Sequence, residues 1–388
     1  MAQGTVAKPS GLEGMIAGVT SICQVLQDDL LLRGYSMVDL AEHATFEDVA
    51  WLLFSGNRAS DEEMTSFRTT LIAERDLPGP VGAFLDGSGA LVAGGSAEPM
   101  DLLRTAVSML GNLDPEAQDN SADAEMRKSV RLMAKMPHVL GRMQASIDGA
   151  AAPDANDGMD AGDDLAGHAA NLFFQVTRRR PTADETRVMD VSLTLYSEHD
   201  FNASTFAARV IAATTSDLHS AVVGAIGALK GKLHGGANEA AIEMMRDVRA
   251  HVDAGGTVRS FMDQAFKEKR KLMGFGHRVY KHGDHRAPIL EKLGKAAATG
   301  EERRLFELGD EVIEIMRTEK NIHPNVDFPC GMTYSALGIS PSQYTPIFAA
   351  SRVTGWCAHV MEQHANNRLI RPMSEYHGAG PRSWAAGG

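Results

Sequence analysis

Apolar side chains recur along this chain at helical spacing far more often than at the period of two that marks strands. The clearest run is 217–230, DLHSAVVGAIGALK. There Leu218, Ala221, Val222, Ala225, Ile226 and Leu229 fall at i, i+3, i+4, i+7, i+8 and i+11, one face of a long helix. Ser216 and Asp217 supply its N-terminal cap, and Gly231 stops it at the position after the C-cap. A second stripe, Phe46, Val49, Ala50 and Leu53, opens behind Thr45, with Asp48 three residues on to complete a reciprocal cap, and Gly56 ends it. Ser60 opens another helix whose first turn is acidic, which suits the helix dipole. Asp101 begins DLLRTAVSMLG, ended by Gly111. The pattern predicts further helices over 184–196, from Ser204 or Thr205, and over 239–251, 261–271, 289–298, 301–320 and 341–369. Residues 30–44 read as a short apolar piece entering a turn at Arg33-Gly34, then a helix. The stretch 149–164, rich in Ala, Asp and Gly, reads as an exposed loop. Residues 323–340 read as irregular, and the tail from Ile370 is rich in Gly and Pro. Strands do not alternate with helices, and no repeat of fixed period is visible, so the chain reads as mainly α.

At 388 residues the chain is too long for one ordinary core, and two domains are the expectation. Hydrophobic residues at 44% and charged residues at 23% describe a soluble globular protein. The net charge of −12 argues against general binding to nucleic acid or anionic membrane. An anionic ligand would therefore need a local cluster of cations. The opening MAQGTVAKPSGLEG lacks the apolar core of a secretion signal, and no apolar run approaches bilayer-spanning length. Cys23, Cys330 and Cys357 are odd in number and widely spaced. They form no metal or disulfide pattern and suit a reducing, cytoplasmic setting.

Four segments that interrupt the helical patterns each carry an ionisable side chain: SEHDFN (His199), KLHGGANE (His234), MGFGHRVY (His277) and NVDFP (Asp327). Reactive groups are commonly placed on loops held by a rigid scaffold. The richest stretch is 271–286, KLMGFGHRVYKHGDHR, with four cations and three histidines. Gly274 and Gly276 let the backbone there approach a ligand, and His277 follows at once with a side chain that exchanges protons near neutral pH. Arg286 could clamp a carboxylate through two parallel hydrogen bonds. His234 precedes Gly235-Gly236 in a gap between helices. Asp327 has apolar neighbours, and burial would make it a stronger base. Each residue also has a plainer reading: His199 and His234 as helix-end partners, and Lys267, Lys269, Arg270 and Lys271 as a solvated face. Arg352 and Arg371 are ordinary arginines by spacing, and Met244, Met245 and Trp356 read as core. His282 and His285 lie close to His277, yet no carboxylate or thiolate completes a metal set at recognisable spacing.

Taken together, these segments resemble the citrate synthase family. The residues that carry the likeness are EHDFNASTFAAR (198–209), GALKGKLHGGANEA (227–240), MGFGHRVYKHGDHR (273–286), NVDFPCG (325–331), YTPIFAASRVTGW (344–356) and the closing IRP (370–372). They look like the bacterial citrate and 2-methylcitrate synthases. Weaker similarity, in LLLRGYSMVDLAEHATFEDVAWLL and PMDLLRTAVSMLG, covers most of the N-terminal half. The resemblance implies a mainly α, citrate-synthase-like fold. A large helical domain, 1–233 and 338–388, would carry a smaller mobile helical domain, 234–337, and the chain would work as a homodimer. It implies that Asp327 takes a proton from the methyl carbon of an acyl-CoA while His234 stabilises the enolate oxygen. His277 would polarise the ketone of oxaloacetate and supply a proton. His199, Arg286 and Arg352 would hold oxaloacetate, with Arg75 as a further contact and Arg371 donated across the dimer interface. Lys271, Leu272, Met273, Gly274 and Phe275 would line the coenzyme A site. Acyl-CoA enters as co-substrate, and no permanently bound cofactor or metal is implied. The acidic loop 149–164, Cys330 after Asp327, and Glu98, where many relatives have histidine, depart from the family's usual wording.

The expected activity is condensation of acetyl-CoA with oxaloacetate and water to citrate and CoA. Propionyl-CoA giving 2-methylcitrate is the alternative, and no residue here decides between them, because one methylene in a pocket is worth only ~1–3 kcal/mol. A non-catalytic sensor of CoA or a tricarboxylate is weighed against by the joint presence of Asp327, His234 and His277. A nucleic-acid-binding helical protein is weighed against by the acidic charge and the lack of aromatics among the basic residues.

Overall fold

The computed structural model describes residues 12, 14–153, 157, 160, 162–277, 279, 280 and 283–383. Among these the chain is mainly α, with sixteen helices and one small three-stranded antiparallel sheet. The sheet comprises Cys23–Val25, Leu30–Leu32 and Tyr35–Ser36. Arg33 and Gly34 join its last two strands with φ of 50° and 90°, the mirror-image turn that matches strand twist. The predicted apolar piece before that turn is thus a strand, and the helix Met37–His43 follows it.

The long helix Tyr344–Ala365 forms the axis of the molecule. Every residue from Tyr344 to Val360 is buried, and the helix packs against Phe46–Ser55, Ala122–Ile147, Ala183–Tyr196, Ala203–Ala212 and Leu218–Leu229. A helix covered on all faces needs small or apolar residues all round, and its few polar groups must find partners. Arg352 is one of these, and Trp356, fully buried, is core as its sequence context indicates.

Local sequence sets most helix starts. Thr45 and Asp48 form the reciprocal cap, as do Ser60 and Glu63, and Asp217 caps Leu218–Leu229 through the Ser220 N–H. Gly56 ends its helix at φ 83°. Other boundaries differ from the pattern. Asn202, not Ser204 or Thr205, caps Ala203–Ala212 by accepting from both their N–H groups. The helix opened near Asp101 is Pro99–Leu113 and runs through Gly111, because there the missing side chain serves packing: a Cβ would lie 2.7 Å from His219. The basic helix stops at Lys267, and Lys269 turns left-handed at φ 53°. Residues 323–340 contain the helix Asp327–Ala336, which the reading as irregular misses. Pro329 there is compatible with a helix because it falls in the first turn, where N–H groups lack helical partners anyway. Three helices have no counterpart among the predicted elements: Gly79–Ala93, with four glycines, Ala122–Ile147, with Pro137 midway, and His168–Thr177. Packing overrides weak propensity in the first two. The described part of 149–164 is without helix or strand.

Candidate active site

One cavity of about 440 Å³ is lined by His199, His234, His277, Arg286, Asp327 and Arg352, together with Lys271, Leu272, Met273, Gly274 and Phe275. These residues come from six places in the chain, and local geometry fixes each of them.

The loops bearing His277 and Asp327 are stitched together. Phe275 pairs with Pro324 in an isolated antiparallel bridge. Gly276 N–H donates to the His323 carbonyl, Asn325 N–H to the Gly274 carbonyl, and the Asn325 side chain to the Gly276 carbonyl, all at 2.9 Å. Gly274 has φ 80°, and a Cβ there would sit 2.7 Å from the Phe328 Cβ, so glycine is needed for both conformation and clearance. The bridge sets the register between the imidazole and the carboxylate.

Backbone donors select the histidine tautomers. Nδ1 of His277 accepts the N–H groups of Val279 at 3.1 Å and Tyr280 at 3.2 Å, so its ring carries a proton on Nε2. Nε2 of His234 accepts the Ser204 N–H at 3.4 Å and lies 2.8 Å from Ser204 Oγ, so the neutral ring carries its proton on Nδ1. Burial and then Arg352 push His234 down to about 4, so it is neutral at pH 7. His199 is held by the Tyr280 hydroxyl at 3.1 Å from Nε2, and burial with Arg286 nearby keeps it well below the ordinary histidine range. Its loop leaves the helix end with Asp200 at φ 51°. Gly355 of the axial helix allows that loop to lie close, since a Cβ would be 2.5 Å from the Ser197 carbonyl oxygen.

Asp327 is the first residue of its helix, where the dipole favours negative charge. Its Oδ1 accepts the Tyr196 hydroxyl at 2.7 Å. Burial raises the carboxyl to about 6, and the Tyr196 hydroxyl and Arg286 limit the rise. Arg286 heads the helix Arg286–Ala297 and donates through Nε and Nη2 to the two oxygens of Asp284, at 2.9 and 2.8 Å. Burial opposes ionisation of Asp284, yet the guanidinium holds it well below the usual carboxylate range. Asp284 also accepts the Val326 N–H at 3.1 Å, which ties the arginine to the residue before Asp327. Arg352 donates from Nε to the Tyr196 carbonyl at 2.7 Å and lies over the Phe348 ring. Burial lowers it to about 10, so it stays cationic at pH 7.

Two predicted residues lie elsewhere. Arg75 does not line this cavity: it is 1% exposed and donates to the carbonyls of Leu165 at 3.1 Å and Ala166 at 2.5 Å, pinning the chain before His168–Thr177. Arg371, on the tail, lines a second cavity of about 1030 Å³ beside the N-terminal segment. Among the described residues no group of His, Cys, Asp or Glu could hold a metal; His282 lies outside them. The sequence reading misses Tyr196, Ser204, Tyr280, Asp284 and Asn325. All five sit inside the segments that carry the family likeness or within two residues of them, the only signal that could have found them.

A mainly helical scaffold gathers imidazoles, a carboxylate and buried guanidinium groups around one cavity, a set of groups suited to moving protons beside an anion. The sequence profile of the family "Citrate synthase, C-terminal domain" matches residues 11–373. The 2-methylcitrate synthase of Shewanella oneidensis is 41% identical over 377 residues, 96% of each chain. Citrate synthase 2 of Bacillus subtilis is 38% identical over 370 residues, 95% of each chain. The citrate synthase of Thermoplasma acidophilum, solved in ternary complex with carboxymethyl coenzyme A and oxaloacetate, superposes with a TM-score of 0.85 at 27% identity, over 97% of this chain and 98% of that one. The chain belongs to the citrate synthase family, and it is a condensing enzyme of the citrate synthase or 2-methylcitrate synthase type. No helix among the described residues is long and apolar enough to cross a membrane.

Proposed function

We propose that the chain condenses acetyl-CoA with oxaloacetate and water to citrate and free CoA, with Asp327, His234 and His277 as the acid–base set. The observation that carries this is their convergence on one cavity with Arg286 and Arg352. Asp327 takes a proton from the thioester methyl carbon. A carboxylate can do so only if charge growing on the thioester oxygen is met at once, and the Nδ1–H of neutral His234 is the donor for it. The enolate carbon then attacks the ketone carbon of oxaloacetate, whose oxygen takes the Nε2 proton of His277. Water cleaves the resulting thioester, releasing the CoA thiol and the tricarboxylate. His199, Arg286 and Arg352 fix the two carboxylates of oxaloacetate, and residues 271–275 border the coenzyme A site. The Thermoplasma relative, bound to a CoA derivative and oxaloacetate, supports both ligands.

A smaller domain, 234–337, closes over the large one, 1–233 and 338–388, and excludes water until the carbon–carbon bond has formed. Two chains associate, each giving Arg371 to the other's site.

A second acyl donor, propionyl-CoA, is favoured by the name of the Shewanella relative at 41% identity. Thiol release from acetyl-CoA and from propionyl-CoA, each with and without oxaloacetate, tests both. The ratio of the two kcat/KM values names the substrate, and no oxaloacetate-dependent release from either would sink the condensation reading.

A further inference from the structure

The carboxylate read above as the base stands at the end of a buried ladder of hydroxyl and thiol groups. Tyr196 closes the helix Ala183–Tyr196 and is 1% exposed; Asp327 opens the helix Asp327–Ala336. The two helices meet at two rungs. The Tyr196 hydroxyl donates to Asp327 Oδ1 at 2.7 Å, and one turn back Ser192 Oγ lies 2.6 Å from the Tyr334 hydroxyl. Between the rungs, three residues after Asp327, the fully buried Cys330 thiol neighbours both tyrosine hydroxyls. This places the cysteine that departs from the family's usual wording.

Burial pushes Tyr196, Tyr334 and the Cys330 thiol well above their ordinary values, so all three stay protonated and neutral across the working pH range. A neutral tyrosine has one proton to give, and here it goes to Asp327. The same residue's carbonyl accepts from Arg352 Nε at 2.7 Å. Tyr196 therefore touches the base through its side chain and one arm of the anion clamp through its backbone.

We propose that Tyr196, backed by Cys330, is a positioning residue for proton abstraction: it engages Asp327 Oδ1 and leaves Oδ2 to take the α-proton. Held this way, the carboxylate cannot swing between rotamers, and the oxygen facing the acyl group is the same in every turnover. The hydroxyl also stabilises the ionised form that a base must start from. This rests on the reading of Asp327 as the base.

The test compares the native enzyme with Tyr196→Phe, Cys330→Ala and Asp327→Asn. It measures kcat from pH 5 to 9 at saturating acyl-CoA and oxaloacetate, and the KM for oxaloacetate. Losing a hydrogen bond to a charged group should lower kcat of Tyr196→Phe about ten- to a hundredfold at pH 6.5. The acid limb of the profile should move up by about one pH unit, because the ionised carboxylate has lost its donor. The KM for oxaloacetate should stay within about twofold, since phenylalanine keeps the carbonyl that holds Arg352. Cys330→Ala should shift the limb in the same direction by less. An unmoved acid limb in Tyr196→Phe, whether kcat falls or not, overturns the proposal. If that variant does not fold, as judged by thermal stabilisation with oxaloacetate, the limb of Cys330→Ala decides in its place. Substantial turnover by Asp327→Asn would instead remove the base assignment beneath both readings.

Discussion

Replacing Asp327 by asparagine should abolish turnover and at the same time make the ligand-free protein more stable. The carboxyl is raised from 3.8 to about 6, mainly by burial. A tenfold change in proton affinity corresponds to about 1.36 kcal/mol, so holding this group ionised in the folded chain costs at most about 3 kcal/mol. The figure is an upper one, because the side chain keeps some contact with the open cavity. The sign follows from linkage. Below pH 3.8 the group is protonated in folded and unfolded chains alike, and there is no penalty. Between 3.8 and about 6 only the unfolded chain ionises freely, so stability falls as pH rises, and above 6 the full penalty is present. Asparagine has nearly the same shape, and its Oδ1 can still accept from Tyr196. It should therefore unfold like the native chain near pH 4 and later than it above pH 6. With an unfolding entropy of about 2.1 cal/mol/K per residue, a chain of 388 residues gains up to about 4 °C from ~3 kcal/mol. Calorimetry of both proteins at several values from pH 4 to 8, without ligands, measures the gap. A gap that does not widen between pH 4 and 6, or an asparagine variant that unfolds first at pH 8, would show that the buried carboxylate carries no such strain.

Three further substitutions probe the scaffold around the cavity. Gly355→Ala would press a methyl group onto the Ser197 carbonyl and the Glu198 side chain; an overpacking cost of ~1–3 kcal/mol and a raised KM for oxaloacetate, through displacement of His199, are expected from denaturant titration and steady-state kinetics. Gly274→Ala meets both a left-handed φ of 80° and the Phe328 Cβ, so the KM for acyl-CoA should rise more than that for oxaloacetate; equal changes would dissociate this loop from coenzyme A binding. Asp284→Asn leaves a buried guanidinium without its counter-charge, a loss on the order of 3–5 kcal/mol in urea midpoint analysis; a stability equal to the native chain's would mean that Arg286 finds another partner.

Much of the helical scaffold was legible in one dimension because its signals are local. The Thr45–Asp48 cap, the helix start at Ser60 with its acidic first turn, the stop at Gly56 and the stripe over 218–229 depend on neighbours within one or two turns, and the structure keeps each of them. Where a boundary depended on another helix, the pattern failed. Gly111 looks like a stop and is a packing contact with His219, and the helix Asp327–Ala336 hides behind a proline whose position in the first turn makes it harmless. The candidate site divides the same way. Its residue types could be picked out because they stand in gaps between helices and carry the wording of a family. Their protonation states could not, because proton placement on an imidazole or a carboxyl is set by distant partners. Nδ1 of His277 and Nε2 of His234 are turned to backbone N–H groups only in the folded chain. Asp327 meets Tyr196, 131 residues earlier in the chain, only where two helix ends converge. The order of residues thus says which groups are available for chemistry. Which atom of each holds the proton is a property of the packed chain, since burial and hydrogen-bond direction do not exist before it folds.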